Sequence, residues 1–376
     1  MKTRIINTNN HSDVRQFIRF PFELYANNPY WVPTMRSEMK AALNQNKHPF
    51  YQHSEAAFFL AERGDETVGR IAMLNNRRYR EQTQSPTGLF YFFEVIDDLE
   101  VARALFETGF NWVSKRGINT LVGPKGLAQG DGLGMLVEGF DHLPAMGIPY
   151  NHDYYPGFMD ELGFEKDTDL LSGYASADER EFKMPERVHK LAERVKNRRG
   201  LHVKKFATKQ ELREWIPNVR EVYNRAFGEV PEFVPISEDE IWIIADRILS
   251  IADPRLIKLI FKGEELIGFL FAYPNISRGL QKARGRMLPF GWFHIMREFK
   301  RTRILDINGI GLMPGHQGVG ATAVLYAELD KTVREFDFNY ANIVQINETN
   351  LKSYTEMDHL GVKWHKRHRI YKRAFE

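Results

Sequence analysis

The sequence predicts an α/β (α+β) protein built from two similar halves, each with a twisted mixed sheet flanked by helices. Three matched pairs of segments, in the same order in both halves, carry this prediction: an apolar hairpin, a strand–helix–strand unit and a short helix that ends in glycine. The chain has 376 residues, which exceeds the usual size of one hydrophobic core. We therefore expect an internal duplication; the alternative is chance likeness between ordinary α/β hairpins.

The first matched pair is a β-hairpin. Residues 56–75 (AAFFLAERGDETVGRIAMLN) and 256–274 (LIKLIFKGEELIGFLFAYP) are apolar, β-rich runs around a short glycine turn, a pattern typical of hairpins. Gly64 matches Gly263 at an offset of 199 residues. A nearly constant offset is what a duplicated unit predicts.

The second matched pair joins two strands through a helix. In the first half the helix is predicted at Leu99–Lys115. In the second half a strand at Ile304–Leu312 precedes a helix at Gly320–Val333, whose apolar residues share one face. A third pair, FMDELGF at 158–164 and TEMDHLGV at 355–362, follows. A terminal pair of strands is expected to close the second half.

These matches define the predicted domains. Residues 1–176 form the first, and residues 201–376 form the second. Residues 177–200 join them, within the polar, charged stretch SADEREFKMPERVHKLAERVKNRRG (176–200). This stretch is predicted to form a solvated connector helix because it has helical spacing after Pro185.

Composition limits the function classes. The formal net charge is only +3, so there is no strong signal for nucleic-acid binding. The absence of cysteine excludes disulfides, a thiol nucleophile and Cys-ligated metal sites, and fits a reducing cytoplasm. The N-terminal stretch lacks the apolar core of a signal peptide, and no run of about 18 apolar residues predicts a spanning helix. We expect a cytoplasmic protein without a metal site.

The stretch INGIGLMPGHQGVGATAVLY (307–326) carries the main functional signal. Pro314 ends the predicted strand, and Gly315, Gly318 and Gly320 lead into the next helix. The first turn of a helix leaves N–H groups unpaired and carries a partial positive charge, so small residues there allow a phosphate to approach. The alternative is a tight turn in which glycine only relieves strain.

The spacing does not fit a P-loop, since Lys and Ser/Thr do not follow the last glycine, and it fits the dinucleotide fingerprint poorly. It resembles the acetyl-CoA loop of the GNAT (Gcn5-related N-acetyltransferase) superfamily, through Leu312, Pro314, Gln317 and Gly320. Thr322 departs from the usual Gly or Ala. The resemblance covers residues 200–376 by motif and order, and 50–175 by order only, so it implies a tandem GNAT protein.

The resemblance also implies a set of site residues. The co-substrate would be acetyl-CoA or another acyl-CoA, held by the loop, its strand and two asparagines: Gly311, Leu312, Met313, Gln317, Gly318, Val319, Gly320, Ala321, Thr322, Asn347 and Asn350. Asp306 is the candidate base, or else a structural partner of a nearby arginine. Tyr354 is the candidate acid, or else a packed aromatic, in which case water protonates the leaving thiolate.

The first half has no such loop. Its equivalent turn, Phe93–Glu100, contains four acids and no glycine. Carboxylates would repel a diphosphate, although they cap a helix N-terminus well. We therefore expect one donor site, in the second half.

The expected function is acyl-CoA-dependent N-acyl transfer, with acetyl favoured, to a primary amine on a small molecule or peptide. The amine attacks directly in a ternary complex. Two alternatives stay open: a catalytically silent CoA-binding module, and an aminoacyl-tRNA-dependent transferase of the paired-GNAT type, although such proteins usually lack the loop. The acceptor and the oligomeric state cannot be deduced from the sequence.

Two further segments are of interest. The glycine-rich loop at Gly123–Asp141, with the tyrosines of HDYYPGF (152–158) after it, is expected to border the substrate site. The aromatic, basic stretch at Leu288–Arg303 could cover the acceptor pocket, lie on a membrane surface or pack between the halves.

Overall fold

A computed structural model describes residues 1–176, 184–230, 232–336 and 338–375. The first half contains the strands β1 (Lys2–Ile5), β2 (Glu55–Arg63), β3 (Glu66–Asn75), β4 (Thr87–Val95), β5 (Thr120–Gly123), β6 (Met135–Glu138) and β7 (Glu165–Ser176). Its helices are α1 (His11–Leu24), α2 (Arg36–Ala42), α3 (Arg77–Thr83), α4 (Leu99–Ser114) and α5 (Tyr155–Glu161), with a 3-10 turn at Pro49–Gln52.

The second half repeats this order with insertions. Its strands are β8 (Leu201–Lys204), β9 (Lys258–Lys262), β10 (Glu265–Pro274), β11 (Ile304–Leu312), β12 (Tyr340–Asn347) and β13 (Lys363–Ala374). Its helices are α6 (Glu186–Arg199), α7 (Lys209–Glu214), α8 (Ile216–Phe227), α9 (Glu238–Ile251), α10 (Ser277–Ala283), α11 (Gly291–Arg301), α12 (Ala321–Glu335) and α13 (Leu351–His359), with a 3-10 turn at Pro254–Leu256.

The predicted mixed α/β architecture is confirmed, but the two halves share one sheet. Within the described residues the strand order is β1-β2-β3-β4-β5-β13-β7-β12-β11-β10-β9-β8, and β6 pairs with β13. The final strand of each half therefore continues the sheet of the other half. β7 pairs with β12, and β13 pairs with β5.

This exchange corrects the expectation that a pair of strands at the C-terminus closes the second half. One long strand, β13, runs antiparallel to β7 and ends against β5 of the first half. A buried ionic cluster holds the β7–β13 contact: Asp169 on β7 accepts from Arg367 at 3.1 Å and from Arg369 at 2.9 Å. Burial opposes ionisation, but these hydrogen bonds and one from Lys166 outweigh it and hold the pKa of Asp169 at about 2.

Each half has a core formed by its central helix and its hairpin. On α4, Val101 and Leu105 lie at helical spacing and pack on the hairpin residue Ile71. On α12, Val324 and Leu325 pack on β9 and β10 in the same manner. The two central helices are therefore held alike, and the difference between the halves lies at their N-terminal ends.

The connector predicted at 177–200 falls partly outside the described residues, since 177–183 are not among them. Its remainder forms α6, which packs on α12 through Ala192 and Val195. The division into domains at 176 and 200 stays a prediction, and the exchanged strands show that neither half completes its sheet alone.

Candidate functional site

A cavity of about 1030 Å³ lies between the two halves. The second half contributes residues of β11, α12, β12 and α13 to its lining. The first half contributes His53, Tyr79 and residues 125–130 of the glycine-rich loop, which therefore borders the cavity as its sequence suggested. The strand ends and helix termini around this cavity form the candidate active site.

The donor side of the cavity is a gap between two parallel strands. β11 and β12 pair in register only from Ile304↔Tyr340 to Ile307↔Ile343. Beyond Ile307 no further register pairs join the two strands, while β12 keeps its pairing with β7 on its other edge as far as Asn347. Residues 307–312 of β11 line the cavity. We call this gap the donor groove. It exposes one backbone edge of β11, which an extended ligand arm can pair with as an added strand does.

β11 is also bulged at the groove. Gly309 pairs with Phe271 and Ile307 pairs with Ala272, so Asn308 is an extra residue on β11. A bulge re-aims the backbone groups beside it and is often found next to active sites. The Asn308 side-chain Nδ2 donates a hydrogen bond to the hydroxyl of Tyr273 on β10, and this bond holds the bulge against the neighbouring strand.

The groove leads to the glycine turn and the N-terminus of α12. Gly315, Gly318 and Gly320 have φ values of +83°, +70° and +86°, a left-handed conformation that glycine adopts without strain. A Cβ atom at Gly315 or Gly318 would meet nothing within 4 Å, so the turn is open on that side. At Gly320 a Cβ atom would lie 2.7 Å from Val195 Cγ2, because α6 covers that position.

These features fit the diphosphate of a CoA molecule. The first turn of α12 contains no acidic residue, so its unpaired N–H groups face no competing carboxylate. Gln317 folds back and its Nε2 donates to the Leu312 carbonyl at 3.3 Å, which links the turn to the groove. The strand edge and the helix N-terminus thus supply adjacent sites for an extended arm and for an anion.

The predicted cofactor-binding residues divide into two sets. Gly311, Leu312, Gln317, Thr322, Asn347 and Asn350 line the cavity. Met313, Gly318, Val319, Gly320 and Ala321 are not part of its lining; the Met313 and Val319 side chains pack into the protein. The members of the second set can act only through the backbone of the turn.

The two predicted asparagines shape the far side of the groove. Asn350 is the N-cap of α13, and its Oδ1 accepts from the Ser353 N–H at 3.1 Å. Asn347 Oδ1 accepts from the Thr349 N–H at 2.9 Å and from the Thr168 hydroxyl at 3.2 Å. Both side chains are held in place by local bonds, and their contact with CoA stays a prediction.

Asp306, the candidate base, does not line the cavity. It is 0% exposed and accepts hydrogen bonds from Asn275 Nδ2 at 2.9 Å, from Asn342 Nδ2 at 2.7 Å and from the Met146 N–H at 3.2 Å. Burial raises its pKa to about 6, while these bonds favour the ionised form. The geometry favours a structural role, in which Asp306 ties Met146, a few residues after the glycine-rich loop, to β11.

Tyr354, the candidate acid, also points elsewhere. Its ring stacks on Trp364 of β13 with centroids 4.8 Å apart, and it is not part of the cavity lining. The α13 residues that line the cavity include Ser353, which precedes Tyr354 in sequence, and Glu356, which follows it. A proton from Tyr354 is therefore not favoured, and solvent is the simpler source.

The first half has the same gap, but its own side chains fill it. β4 and β5 pair in register only from Thr87 to Leu89 on β4, which leaves a first-half groove beyond Leu89. There the Tyr155 hydroxyl accepts from the Val95 N–H at 2.8 Å, and the Tyr154 hydroxyl donates to the Val95 carbonyl at 2.7 Å. These tyrosines fill this groove instead of bordering the cavity, contrary to the sequence-based expectation.

The anion position of the first half is also filled by the protein itself. Asp98 is the N-cap of α4; its Oδ1 accepts from the Glu100 N–H at 3.0 Å, and its Oδ2 pairs with Arg63 at 2.7 Å. The structure thus supports a single donor groove, in the second half.

Two of the cavity residues that the sequence did not predict bear on the chemistry, His53 and Ser353. His53 lies in the first half; its Nδ1 is 2.6 Å from the Ser54 hydroxyl, and its Nε2, 3.6 Å from Glu240, has no hydrogen-bond partner among the described residues. Ser353 occupies the position that Tyr155 has in the first half, by the same 198-residue offset that relates Gly163 and Gly361. The constant offset between the two halves identifies Ser353 once the role of Tyr155 is known, whereas no local sequence pattern identifies His53.

Comparison with known proteins agrees with this geometry. A solved tandem GNAT protein from the clavulanic acid biosynthesis pathway superposes with a TM-score of 0.57 and 14% identity, covering 99% of this chain and 98% of that one. This chain has the tandem GNAT fold. The fold predicted from the glycine loop and the internal repeat is therefore confirmed.

Curated relatives also match along nearly the whole length, although no family model matches the sequence. Protein YghO of Escherichia coli is 26% identical over 374 residues, covering 97% of this chain and 93% of the relative. A bacterial ceramide synthase of Caulobacter vibrioides is 26% identical over 380 residues, covering 98% and 97%. Among the described residues, we find no helix with the length and apolar character needed to cross a membrane.

Proposed function

We propose that the protein is an acyl-CoA-dependent N-acyltransferase that uses the donor groove of its second half. One observation carries the proposal: the strand gap beyond Ile307 runs without interruption into an acid-free helix N-terminus, and both open on a cavity that the first half completes. A diphosphate binds the turn of residues 317–322, and the arm that follows it pairs with β11.

The chemistry needs little from the protein. The acyl thioester supplies an activated carbonyl, so an amine nitrogen can bond to the acyl carbon as the carbon–sulfur bond breaks and the thiolate leaves with the electron pair. We expect a backbone N–H group at the Asn308 bulge to polarise the carbonyl oxygen, because a bulge re-aims the backbone groups beside it. Direct attack suits a chain that has no cysteine to serve as a covalent carrier.

We propose an acyl group longer than the acetyl favoured by the sequence resemblance. The cavity of about 1030 Å³ has to hold the coenzyme arm and the acceptor as well as the acyl group, and its size does not require an acyl group as small as acetyl. Its lining includes the apolar side chains of Leu329 and Val333 from α12 and of Leu360 near α13, with charged neighbours from the same helices. The ceramide synthase relative supports this choice, since a ceramide is an N-acylated long-chain amino alcohol.

The acceptor amine must lose a proton, and His53 is the group we propose to take it. Burial lowers its pKa below the ordinary 6.5, so the ring is neutral at pH 7. Its buried Nε2 has no hydrogen-bond partner among the described residues and lies 3.6 Å from Glu240, and the residue lines the cavity from the half that would hold the acceptor. The acidic neighbours Glu240 and Glu232 are engaged by Arg78 and Lys125, and are less able to accept a proton.

Amine-dependent release of free CoA tests the function. Purified protein is mixed with acyl-CoAs of several chain lengths and a panel of primary amines, and the released thiol is measured with a thiol reagent. The absence of cysteine removes any background from the protein itself. We expect release that requires an amine and is faster with long acyl chains than with acetyl-CoA. Binding of acyl-CoA without amine-dependent release would instead identify a silent binding module.

The role of His53 has its own test. His53→Gln is expected to lower kcat by about 100-fold, with acyl-CoA affinity unchanged, because only proton removal is impaired. In the unmodified protein the rate should fall as the pH drops through the lowered pKa of His53. This acidic limb of the pH–rate profile should be absent in the variant. His48→Gln, in the same segment but outside the cavity lining, serves as the control. An unchanged acidic limb in His53→Gln would assign the base elsewhere.

A further inference from the structure

The segment that joins β10 to β11 presents a cluster of exposed apolar side chains. Leu288 is 76% exposed and Phe290 is 70% exposed, although both are large apolar residues. Together with four neighbours they form what we call the α11 patch: Met287, Leu288, Phe290, Trp292, Phe293 and Met296. Among the described residues, half of the large exposed apolar side chains lie in this stretch of ten residues. Such a concentration marks an interaction surface.

The opposite side of the same segment is anchored. Ile295 and Phe299 of α11 pack in a cluster with Tyr273 and Leu280. Gln281 donates to the Pro29 carbonyl at 2.8 Å, which ties α10 to the first half. α11 is therefore fixed with one face inward, and packing between the halves, one of the sequence-based alternatives, does not cover the patch.

Positive charge surrounds the patch. Residues 278–301 contain one acid, Glu298, and seven basic residues, all of them exposed: Arg278, Lys282, Arg284, Arg286, Arg297, Lys300 and Arg301. None of the seven has an ion-pair partner within the described part of the chain. Because the whole chain has a net charge of only +3, the remaining residues are net negative and this basic character is local.

We propose that the α11 patch docks on the surface of an anionic lipid bilayer. An amphipathic helix with aromatic residues on one face and Lys/Arg beside them inserts its apolar face at the level of the lipid headgroups, and the cations attract the acidic lipids. A second copy of this chain fits poorly, since it would bring two clusters of seven unpaired cations together. The proposal stands on this segment alone and does not depend on acyl transfer.

The docked surface would lie next to the cavity wall. α10 and α11 connect β10 to β11, and Tyr273, which packs with Ile295 in the anchored cluster, hydrogen-bonds Asn308 of the cavity lining. An enzyme held this way could receive an apolar substrate from the bilayer without passing it through water.

Vesicle sedimentation tests the proposal on the full-length protein. The probe is vesicles of equal parts phosphatidylcholine and phosphatidylglycerol, with pure phosphatidylcholine vesicles for comparison and no CoA present. We expect binding to the anionic vesicles that weakens as salt is raised. Phe290→Ser combined with Trp292→Ser should lower vesicle affinity by about tenfold or more, and Lys300→Gln combined with Arg301→Gln by about tenfold.

Matched measurements keep the outcome clear. Trp242→Ser, which removes an exposed tryptophan of α9, should bind like the unmodified protein. The patch variants should keep full transfer to a water-soluble amine, because none of these residues lines the cavity. No binding by the unmodified protein, equal binding by the serine variant, or self-association through the patch in place of vesicle binding would each overturn docking. Vesicle binding without acyl transfer would sustain docking and refute the enzyme.

Discussion

The two halves of this tandem GNAT fold build the same groove and use it in opposite ways. In the first half the Tyr155 hydroxyl satisfies the Val95 backbone, and the Asp98 carboxylate caps the helix that follows. In the second half the corresponding positions carry Ser353 and the glycine turn, and the groove opens on a cavity. The difference teaches that a ligand site is closed when the protein's own side chains make the hydrogen bonds that a ligand would otherwise make.

Filling the donor groove should have the largest effect. Ser353→Tyr copies the first half, and the new ring would enter the donor groove beside β11 as Tyr155 enters the first-half groove beside Val95. We expect acyl-CoA binding to fall below detection in calorimetry, because the arm of the ligand and the ring compete for the same space. Ser353→Ala should bind normally, and both variants should melt within a few degrees of the unmodified protein. Retained affinity in Ser353→Tyr would show that the ligand binds elsewhere.

A carboxylate in the glycine turn should act next most strongly. Gly318 has a positive φ and open space around it, and Asn and Asp tolerate that conformation better than other residues do. Gly318→Asp should weaken acyl-CoA binding by about 100-fold through repulsion of the diphosphate, and Gly318→Asn by much less. The Asp and Asn side chains have the same shape and cause the same backbone strain. An equal loss of acyl-CoA affinity in both variants, measured by calorimetry, would therefore contradict an anion site at the turn.

Removing the tyrosine hydroxyls from the first-half groove should affect stability and not binding. Tyr155→Phe leaves the buried Val95 N–H without its partner and should lower the free energy of unfolding by about 2 kcal/mol. Tyr154→Phe should lower it by less, since the Val95 carbonyl keeps the Tyr155 hydroxyl at 3.1 Å. Denaturant titration measures both. Each variant should still bind one acyl-CoA per chain; a second molecule bound would mean that the first half is a latent donor site.

Asp306 should show the smallest effect, through the pH dependence of stability. Its folded-state pKa of about 6 lies above the ordinary 3.8, so the native state binds more protons than the unfolded chain at intermediate pH. Its stabilising contribution is therefore full below pH 3.8 and is lost as the pH rises through 6. Relative to Asp306→Asn, the unmodified protein should gain about 1 kcal/mol between pH 7 and pH 5.

The same Asp306 variant separates its two proposed roles. If Asp306 only ties Met146 to β11, Asp306→Asn should be less stable at every pH, since its amide would face three donors, while kcat at saturating substrate stays within about twofold. A fall in kcat of about 100-fold in folded protein would restore the base assignment made from sequence.

The sequence was informative where the signal is local. The hairpins, the strand at Ile304–Leu312 and the glycine turn each follow from spacing within one short segment, and the structure has them where expected. The acid-rich turn at Asp98 likewise predicts that the first half binds no diphosphate, and the capping bond of Asp98 is consistent with this prediction.

Features that depend on distant contacts could not be predicted. The exchange of β7 and β13 joins strands about two hundred residues apart, and no local pattern specifies which half a final strand completes. Tyr155 lies sixty residues from the backbone that it satisfies. Asp306 and Tyr354 were chosen by position along the chain, whereas burial and ring stacking, which turn them away from the cavity, come from other segments.

A crystal structure of the protein with a non-transferable acyl-CoA thioether tests the central claim most directly. We expect the diphosphate within hydrogen-bond distance of the backbone N–H groups of residues 317–322, and the arm paired with β11 beyond Ile307. We expect the first-half groove to keep Tyr154 and Tyr155 in place. Ligand bound between β4 and β5, or a glycine turn that makes no contact with the diphosphate, would contradict the account.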